Sequence, residues 1–282
     1  PDHRLETPVM VVHRCQPSGE AIQSNASLIT CAGSGSQAEI IEWHTGPSVS
    51  QGSHINISHK VLVEENANLA IYRLQTAAPD ASLIANTVIY QQQNSVAGVY
   101  SAELGARLMR NNLSVIHEGT NITSNLYGVF IATDGQHTDT QSFIDHALPH
   151  CQSNELYKGV LSGNGRGVFN GKIIVRQDAQ KTNAFQQNST LILSPQAVMD
   201  SKPQLEIFAD DVKCSHGATI GQLDEDALFY LRTRGLTSQQ AGALLQKAFV
   251  QDVLDHYPNQ DIATMVSAQI DTVMADINNQ RV

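Results

Sequence analysis

Up to about Gly221 the chain reads as short apolar runs separated by turn residues; beyond it the apolar spacing becomes helical. The first part contains Val9–His13, Ser27–Thr30, Glu39–Trp43, Lys60–Val63, Ala70–Leu74, Leu83–Tyr90, Val99–Leu104, Leu113–His117, Leu126–Thr133, Lys172–Arg176, Thr190–Leu193 and Gln204–Phe208. These runs favour Val, Ile, Leu, Tyr and Thr, as strands do. Gly33-Ser34-Gly35, Thr133-Asp134-Gly135 and Gly163-Asn164-Gly165 are among the turns between them. The pattern predicts an all-β body, with sandwich, barrel and solenoid all open. Two features favour a parallel β-helix. Asn, Gln and Ser recur inside the strand-rich stretches, as stacked coils with aligned side chains require, and the region is longer than a usual sandwich.

The second part predicts three helices. Asp224 caps one that runs to Arg234, with Gly235 as its stop. Thr237-Ser238-Gln239-Gln240 forms a capping box for the next, which carries Ala241, Leu244, Leu245, Ala248, Phe249 and Val253 on one stripe and ends at Pro258. A third helix lines up Ile262, Met265, Val266, Ile270, Val273, Met274 and Ile277. Such stripes predict packing on each other and on the end of the β body. The reading is therefore a mainly β chain, with a β core over 1–221 and a small C-terminal helical domain over 222–282.

Composition narrows the function. A net charge of −10 argues against a nucleic-acid partner, because phosphate binding needs clustered Lys and Arg. No apolar run is long enough to span a bilayer. Cys15, Cys31, Cys151 and Cys214 are scattered without a CxxC pair, which predicts reduced thiols in the cytoplasm rather than a disulfide framework. Sequons at Asn25, Asn56, Asn112, Asn121 and Asn188 read as products of an Asn- and Ser-rich composition.

No nucleotide motif is present. The stretch from Gly165 to Lys172 has P-loop residue types at the wrong spacing, and Ile173 stands where Ser or Thr is needed. Two clusters offer metal chemistry. On a strand, Cys214 and His216 point to one face and present a thiol beside an imidazole, half of a site for zinc or an iron–sulfur cluster. His137, Asp139, Asp145, His146, His150 and Cys151 form the second; a helix would bring His146 and His150 together, and the plainer expectation is a surface loop with Asp–His pairs.

The run Asp210-Asp211-Val212-Lys213-Cys214-Ser215-His216-Gly217-Ala218-Thr219-Ile220-Gly221 leads directly into Leu228-Phe229-Tyr230-Leu231-Arg232-Thr233-Arg234-Gly235-Leu236. Together with His146–Cys151, Tyr157–Leu161, Gly167–Ile173 and Lys202–Ile207, these resemble the SufB/SufD family of iron–sulfur cluster assembly proteins. The branch it resembles is SufD, since the glutamate-rich segment of SufB-like chains is replaced by Cys214-Ser215-His216-Gly217, and Asn188–Leu193 lacks their cysteine. The resemblance implies a right-handed parallel β-helix, a heterodimer with SufB, and docking of the SufC ATPase on the C-terminal helices through Leu228, Phe229, Tyr230, Arg232, Arg234, Gly235, Leu244 and Phe249. It implies a non-catalytic scaffold subunit in a SufBCD complex. His216 would help assemble a transient cluster at the interface and be the candidate metal ligand, completed by the partner, with Cys214 an interface thiol. No permanently bound cofactor follows from it, and flavin binding stays open. The family's N-terminal helical region is absent from this stretch. A homodimer through the exposed β-helix edge is a further expectation for the isolated chain.

The alternative from a different class is a secreted β-helix protein that binds or cleaves carbohydrate. It rests on the sequons and on Asp139 and Asp145 as paired carboxylates.

Overall fold

The computed structural model describes residues 2–14, 22–46 and 52–280. Cys15 lies outside them. Fifteen strands precede three helices: β1 (Val9–Arg14), β2 (Ile22–Ala32), β3 (Gln37–Gly46), β4 (Ser53–Val63), β5 (Asn68–Ala77), β6 (Ala81–Gln91), β7 (Val96–Glu103), β8 (Leu108–His117), β9 (Thr123–Ala132), β10 (His137–His146), β11 (Gln152–Leu161), β12 (Arg166–Val175), β13 (Asn183–Ile192), β14 (Val198–Ile207), β15 (Lys213–Gly221), α1 (Glu225–Thr233), α2 (Ser238–Leu254) and α3 (Gln260–Gln280). Odd-numbered strands form one parallel sheet in the order β1-β3-β5-β7-β9-β11-β13-β15, and even-numbered strands form a second from β14 back to β2. Each strand thus pairs with the strand two along, which is a parallel β-solenoid of about seven turns. Register partners lie 26 residues apart at Ser82↔Leu108 and 32 apart at Arg166↔Val198. The coil length varies, which explains why the sequence shows no strict repeat.

One corner fixes the coil. Asp2, Gly35, Asn66, Asn94, Asn121, His150 and Lys181 all adopt left-handed backbone, with φ between 53° and 69°. The N–H of each donates to a carbonyl one coil further on: Asp2 to Ser34, Gly35 to Glu65, Asn66 to Gln93, Asn94 to Thr120, Asn121 to Pro149, His150 to Gln180 and Lys181 to Asp211. Asn suits three of these positions because it tolerates left-handed φ, and its amide extends the ladder. Asn121 Nδ2 donates to Asn94 Oδ1 at 3.0 Å, and Asn94 Nδ2 to Asn66 Oδ1 at 3.0 Å. Asn112 donates to Asn86 at 2.7 Å and Asn170 to Gln141 at 2.8 Å on the even-strand sheet. The polar residues within strands are therefore stacked between coils, and the sequons belong to this pattern; Asn188 is fully buried.

The two sheets enclose an apolar interior built from both, including Val61, Ile71, Leu126, Phe130, Ile144 and Phe169. The even-strand sheet alternates most clearly in β4, where Ile55, Ile57, Val61 and Val63 are buried while His54, Asn56, Ser58 and Lys60 are exposed. The odd-strand sheet is buried on both faces along much of β5, β7 and β9. Its outer face is covered by α2 and α3, which corrects the expectation that the helices cap the end of the body. Tyr72, Tyr100 and Tyr127 stack at one register position on three successive strands. Tyr257 packs on the first two at centroid distances of 5.7 and 5.1 Å, and His256 stacks on Tyr127 at 4.3 Å. Lys158 pairs with Asp252 at 2.6 Å, and Asn259 donates to Glu39 at 2.7 Å.

The helix signals hold. Asp224 accepts from the backbone of Asp226 and Ala227, Thr237 and Gln240 complete the capping box, and Gly235 takes φ 96°. Strands β10 and β11 were not among the expected runs, because His137–His146 and Gln152–Leu161 bury polar side chains where the interior pattern calls for apolar ones. Among the described residues no helix is long and apolar enough to cross a membrane.

Tyr257 is the pin between helices and sheet, with 2% of its surface exposed. Its hydroxyl reaches the Ser101 carbonyl only at 3.4 Å, so the ring carries the contact. Tyr257→Ala is expected to cost about 3–5 kcal/mol in urea unfolding, and Tyr257→Phe less than about 1 kcal/mol; equal costs would place the energy in the hydroxyl instead.

Candidate functional site

The C-terminal end of the solenoid is open. Among the described residues β15 pairs only with β13, and β14 only with β12, so both present a free backbone edge. Exposed apolar side chains cluster on these last coils: Phe185, Val198, Ile207, Phe208 and Ile220. Cys214 and His216 sit on β15, opposite Ala184 and Gln186 of β13. Leu126, Glu155, Gln186 and His216 share one register column on the inward side. Cys214 packs against the interior cluster, and burial pushes its thiol up. His216 is exposed and lines a cleft of about 380 Å³ with Glu155, Phe185, Gln186 and His256. Among the described residues neither belongs to a group of three metal-ligating side chains. The strand geometry thus brings the expected thiol and imidazole to one open edge as an incomplete donor set.

The helix residues divide. α1 buries none of its side chains; Phe229 is 67% and Tyr230 56% exposed. Arg234 lies over the Tyr230 ring at 5.2 Å and donates to its hydroxyl at 3.2 Å. Leu228, Phe229 and Arg232 line a cleft of about 630 Å³ with Leu193, Pro195 and Leu223. Gly235 makes the left-handed turn that ends α1. Leu244 faces a separate groove with Leu236 and Met274. Phe249 turns the other way, partly buried against the sheet under Lys158, whose Nζ sits 4.6 Å from the ring centroid.

The second cluster is not a helix and not a loop of Asp–His pairs. His137 to His146 is β10, His150 is the left-handed corner residue, and both carboxylates pair with arginine. Arg110 meets Asp139 at 2.7 Å and Arg176 meets Asp145 at 2.7 Å. Asp139 and Asp145 are six residues apart on one strand, about 20 Å. That separation is far too wide for a glycosidase carboxylate pair, so these two residues do not form the pair on which the carbohydrate-cleaving alternative rests.

Sequence reasoning missed a charged cluster inside the first coils. Arg73 donates to Glu42 Oε2 through Nε at 3.0 Å and Nη2 at 2.9 Å, to Thr87 at 2.8 Å and to Asn111 at 3.1 Å. His44, His13 and His59 approach the same carboxylate at 3.4, 3.7 and 3.7 Å. Arg73, His44 and His59 hold Glu42 well below the usual carboxylate range against its burial. Asn111 passes the network to Glu103 at 2.9 Å, which burial pushes up to about 7. Glu155, separated from His216 by Gln186 in the same column and lining the same cleft, is likewise pushed up to about 7 by burial. Only the coil length reveals these contacts, because Arg73 lies one coil from Glu42 and His44 one coil from His13.

With this geometry established, the family is clear. The chain belongs to the SufBD family: the description "SUF system FeS cluster assembly, SufBD core domain" matches residues 14–249. Within it, the chain is similar to the iron–sulfur cluster assembly protein SufD of Escherichia coli, 33% identical over 237 residues that cover 84% of this chain and 56% of that protein. An iron–sulfur cluster assembly SufBD family protein of Synechocystis is 38% identical over 252 residues, 89% of this chain and 54% of its own length. A chloroplastic protein of Arabidopsis thaliana, ABCI7, is 33% identical over 240 residues. The chain spans about half the length of these relatives. The E. coli and Synechocystis relatives are both named for iron–sulfur cluster assembly.

Glu103 generates a pH test. Its folded pKa, about 7, is raised above the ordinary 4.5, so its contribution to stability is complete below about pH 4.5 and is lost as pH rises through about 7. Glu103→Gln removes that loss. Its stability advantage over the unmodified protein is expected to grow from near zero at low pH to roughly 2–3 kcal/mol above pH 7 in urea unfolding. A difference that stays flat across pH refutes it.

Proposed function

We propose that this chain is the core of a non-catalytic scaffold subunit that pairs with a SufB-type chain and docks a SufC-type ATPase, forming a SufBCD complex in the cytoplasm. The observation that carries the reading is the open edge at β15, where an incomplete Cys214–His216 donor set lies among unpaired backbone and exposed apolar side chains. A partner strand added to that edge satisfies its backbone hydrogen bonds, buries Phe208 and Ile220, and supplies the missing donors for a cluster. The cluster is cargo held transiently at the interface. The chain has no nucleotide motif, so ATP hydrolysis falls to the SufC-type partner. Phe229 and Tyr230, exposed beside a cleft with Arg232, have the character of an interface anchor.

The test is co-expression of the full-length protein with SufB- and SufC-type partners. His216→Ala is expected to leave the complex intact, because backbone pairing and apolar burial hold it, and to lower cluster formation at least about tenfold. Unchanged cluster formation overturns the assignment of His216; failure of the unmodified chains to associate overturns the scaffold reading. Phe229→Ala and Tyr230→Ala change folding stability by no more than about 0.5 kcal/mol, since both rings are exposed. Each is expected to weaken binding of the ATPase subunit by about 1–2 kcal/mol in calorimetry.

A further inference from the structure

At the corner between β8–β10 and the odd-strand sheet, two successive coils repeat one polar pair. His117 and His146 are register partners, and so are Ser124 and Ser153. The Nε2 of His117 lies 2.7 Å from Ser124 Oγ, and that of His146 lies 2.9 Å from Ser153 Oγ. Hydrogen bonding fixes the state of His117. Gln91 donates through Nε2 to the Thr123 carbonyl at 3.2 Å, so its Oε1 faces Ser124 and accepts that hydroxyl's proton at 2.6 Å. Ser124 therefore accepts from His117 Nε2–H, and the Nδ1 lone pair of His117 is bare. Both histidines are fully buried, and neither Nδ1 has a hydrogen-bond partner.

The third member is Cys151, also fully buried, on the turn that enters β11. Its thiol faces the carbonyls of Gly119 at 3.5 Å and Pro149 at 3.6 Å. One ligand atom from each of His117, His146 and Cys151 lies within 4.8 Å of the others, and the two rings stand edge to face with centroids 4.5 Å apart. Two buried imidazole nitrogens without a hydrogen-bond partner cost stability, and a bound ion between them removes that cost. Orientation of each ring through its far nitrogen is the arrangement found around protein-bound metals.

We infer that His117, His146 and Cys151 form a second metal site, selective for a thiophilic divalent transition-metal ion such as Zn²⁺ or Fe²⁺. A donor set of two imidazoles and one thiol disfavours Mg²⁺ and Ca²⁺, which require oxygen ligands. On binding, the Cys151 S–H bond breaks, its proton leaves to solvent, and a metal–sulfur bond forms. Metal–nitrogen bonds of about 2.1 Å and a metal–sulfur bond of about 2.3 Å set donor separations of roughly 3.3–3.8 Å. The donor atoms here lie within 4.8 Å of one another. Any adjustment on loading falls to the turn through Pro149 and the exposed His150, because the histidines sit in the ladder of β8 and β10. The site lies two coils back from Cys214, whose register column runs through Ala184 to Ser153, and does not depend on the scaffold reading.

The experiment is a titration of the chelator-treated, reduced full-length protein with Co²⁺. A thiolate-to-cobalt charge-transfer band is expected to saturate at one ion per chain and to vanish on addition of Zn²⁺. Cys151→Ser and His117→Gln are expected to lose it, while Cys214→Ser keeps it. Zn²⁺ raises the melting temperature of the unmodified protein but of neither site variant. No band, a band that survives Cys151→Ser, or one lost in Cys214→Ser overturns the site. Because a buried substitution can unfold the corner, X-ray absorption of the zinc-loaded unmodified protein gives a check without variants. A shell of two nitrogens and one sulfur, completed by at most a light atom, is expected; a shell without sulfur sinks the proposal.

Discussion

Everything in this molecule hangs on the hydrogen bond that each coil's corner donates to the next. A left-handed residue at the same corner of seven successive coils aims its N–H along the solenoid axis, and the parallel ladders on either side follow from it. That single repeated geometry decides which residues meet. It sets Glu42 beside Arg73, His117 beside His146 and Gln186 beside His216, although nearly 30 or more residues separate each pair. A parallel solenoid also lacks a natural last strand. The ladder simply stops at β15, and an edge with unsatisfied backbone is its product.

The interior is less apolar than that of an ordinary sheet protein, and its polar content is organised along the axis. Arg73 joins Glu42 to Asn111 and Glu103 in the early coils, and Gln186 donates to Glu155 at 2.6 Å in the late ones. A buried ion pair of this kind gives little net stability, because desolvation offsets the attraction. What it does impose is register: slipping a coil by one residue would turn Arg73 out and leave Glu42 charged and alone. Fixed register in turn fixes the last strand, so Cys214 and His216 face the interior side of an edge whose position the whole stack determines.

Much of this was legible in the sequence, and the misses share one cause. Strand-rich and helical regions, the caps at Asp224 and Thr237 and the turn at Gly235 all follow from local chemistry, which reads directly. Cys214 and His216 were readable because two residues on one strand suffice. The family motifs pointed to the SufBD family, which the match over residues 14–249 shows. The charged cluster around Glu42 and the pairing of His117 with His146 were not readable, because their neighbours come from other coils and the coil length drifts between 26 and 32 residues. The same drift hid β10 and β11, whose buried Thr140, Ser142, Ser153 and Glu155 break the alternation a strand search relies on. The helical face was misplaced for a related reason: an apolar stripe says that something is covered, not which surface.

That face has a mechanical consequence. Residues of α2 and α3 share one packed cluster with side chains from β3, β5, β7, β9, β11 and β13, but with none from β1 or β15. A bare stack of coils unzips one neighbour at a time from either end. A strap across six strands makes the middle open all at once or not at all, and leaves the two terminal strands outside that cooperative unit. Slow hydrogen exchange belongs to the strapped body, and fast exchange to the strands at its ends. The strand that carries Cys214 and His216 is thus the compliant lip of a stiff rod, free to shift its backbone against another chain without loosening what lies behind it.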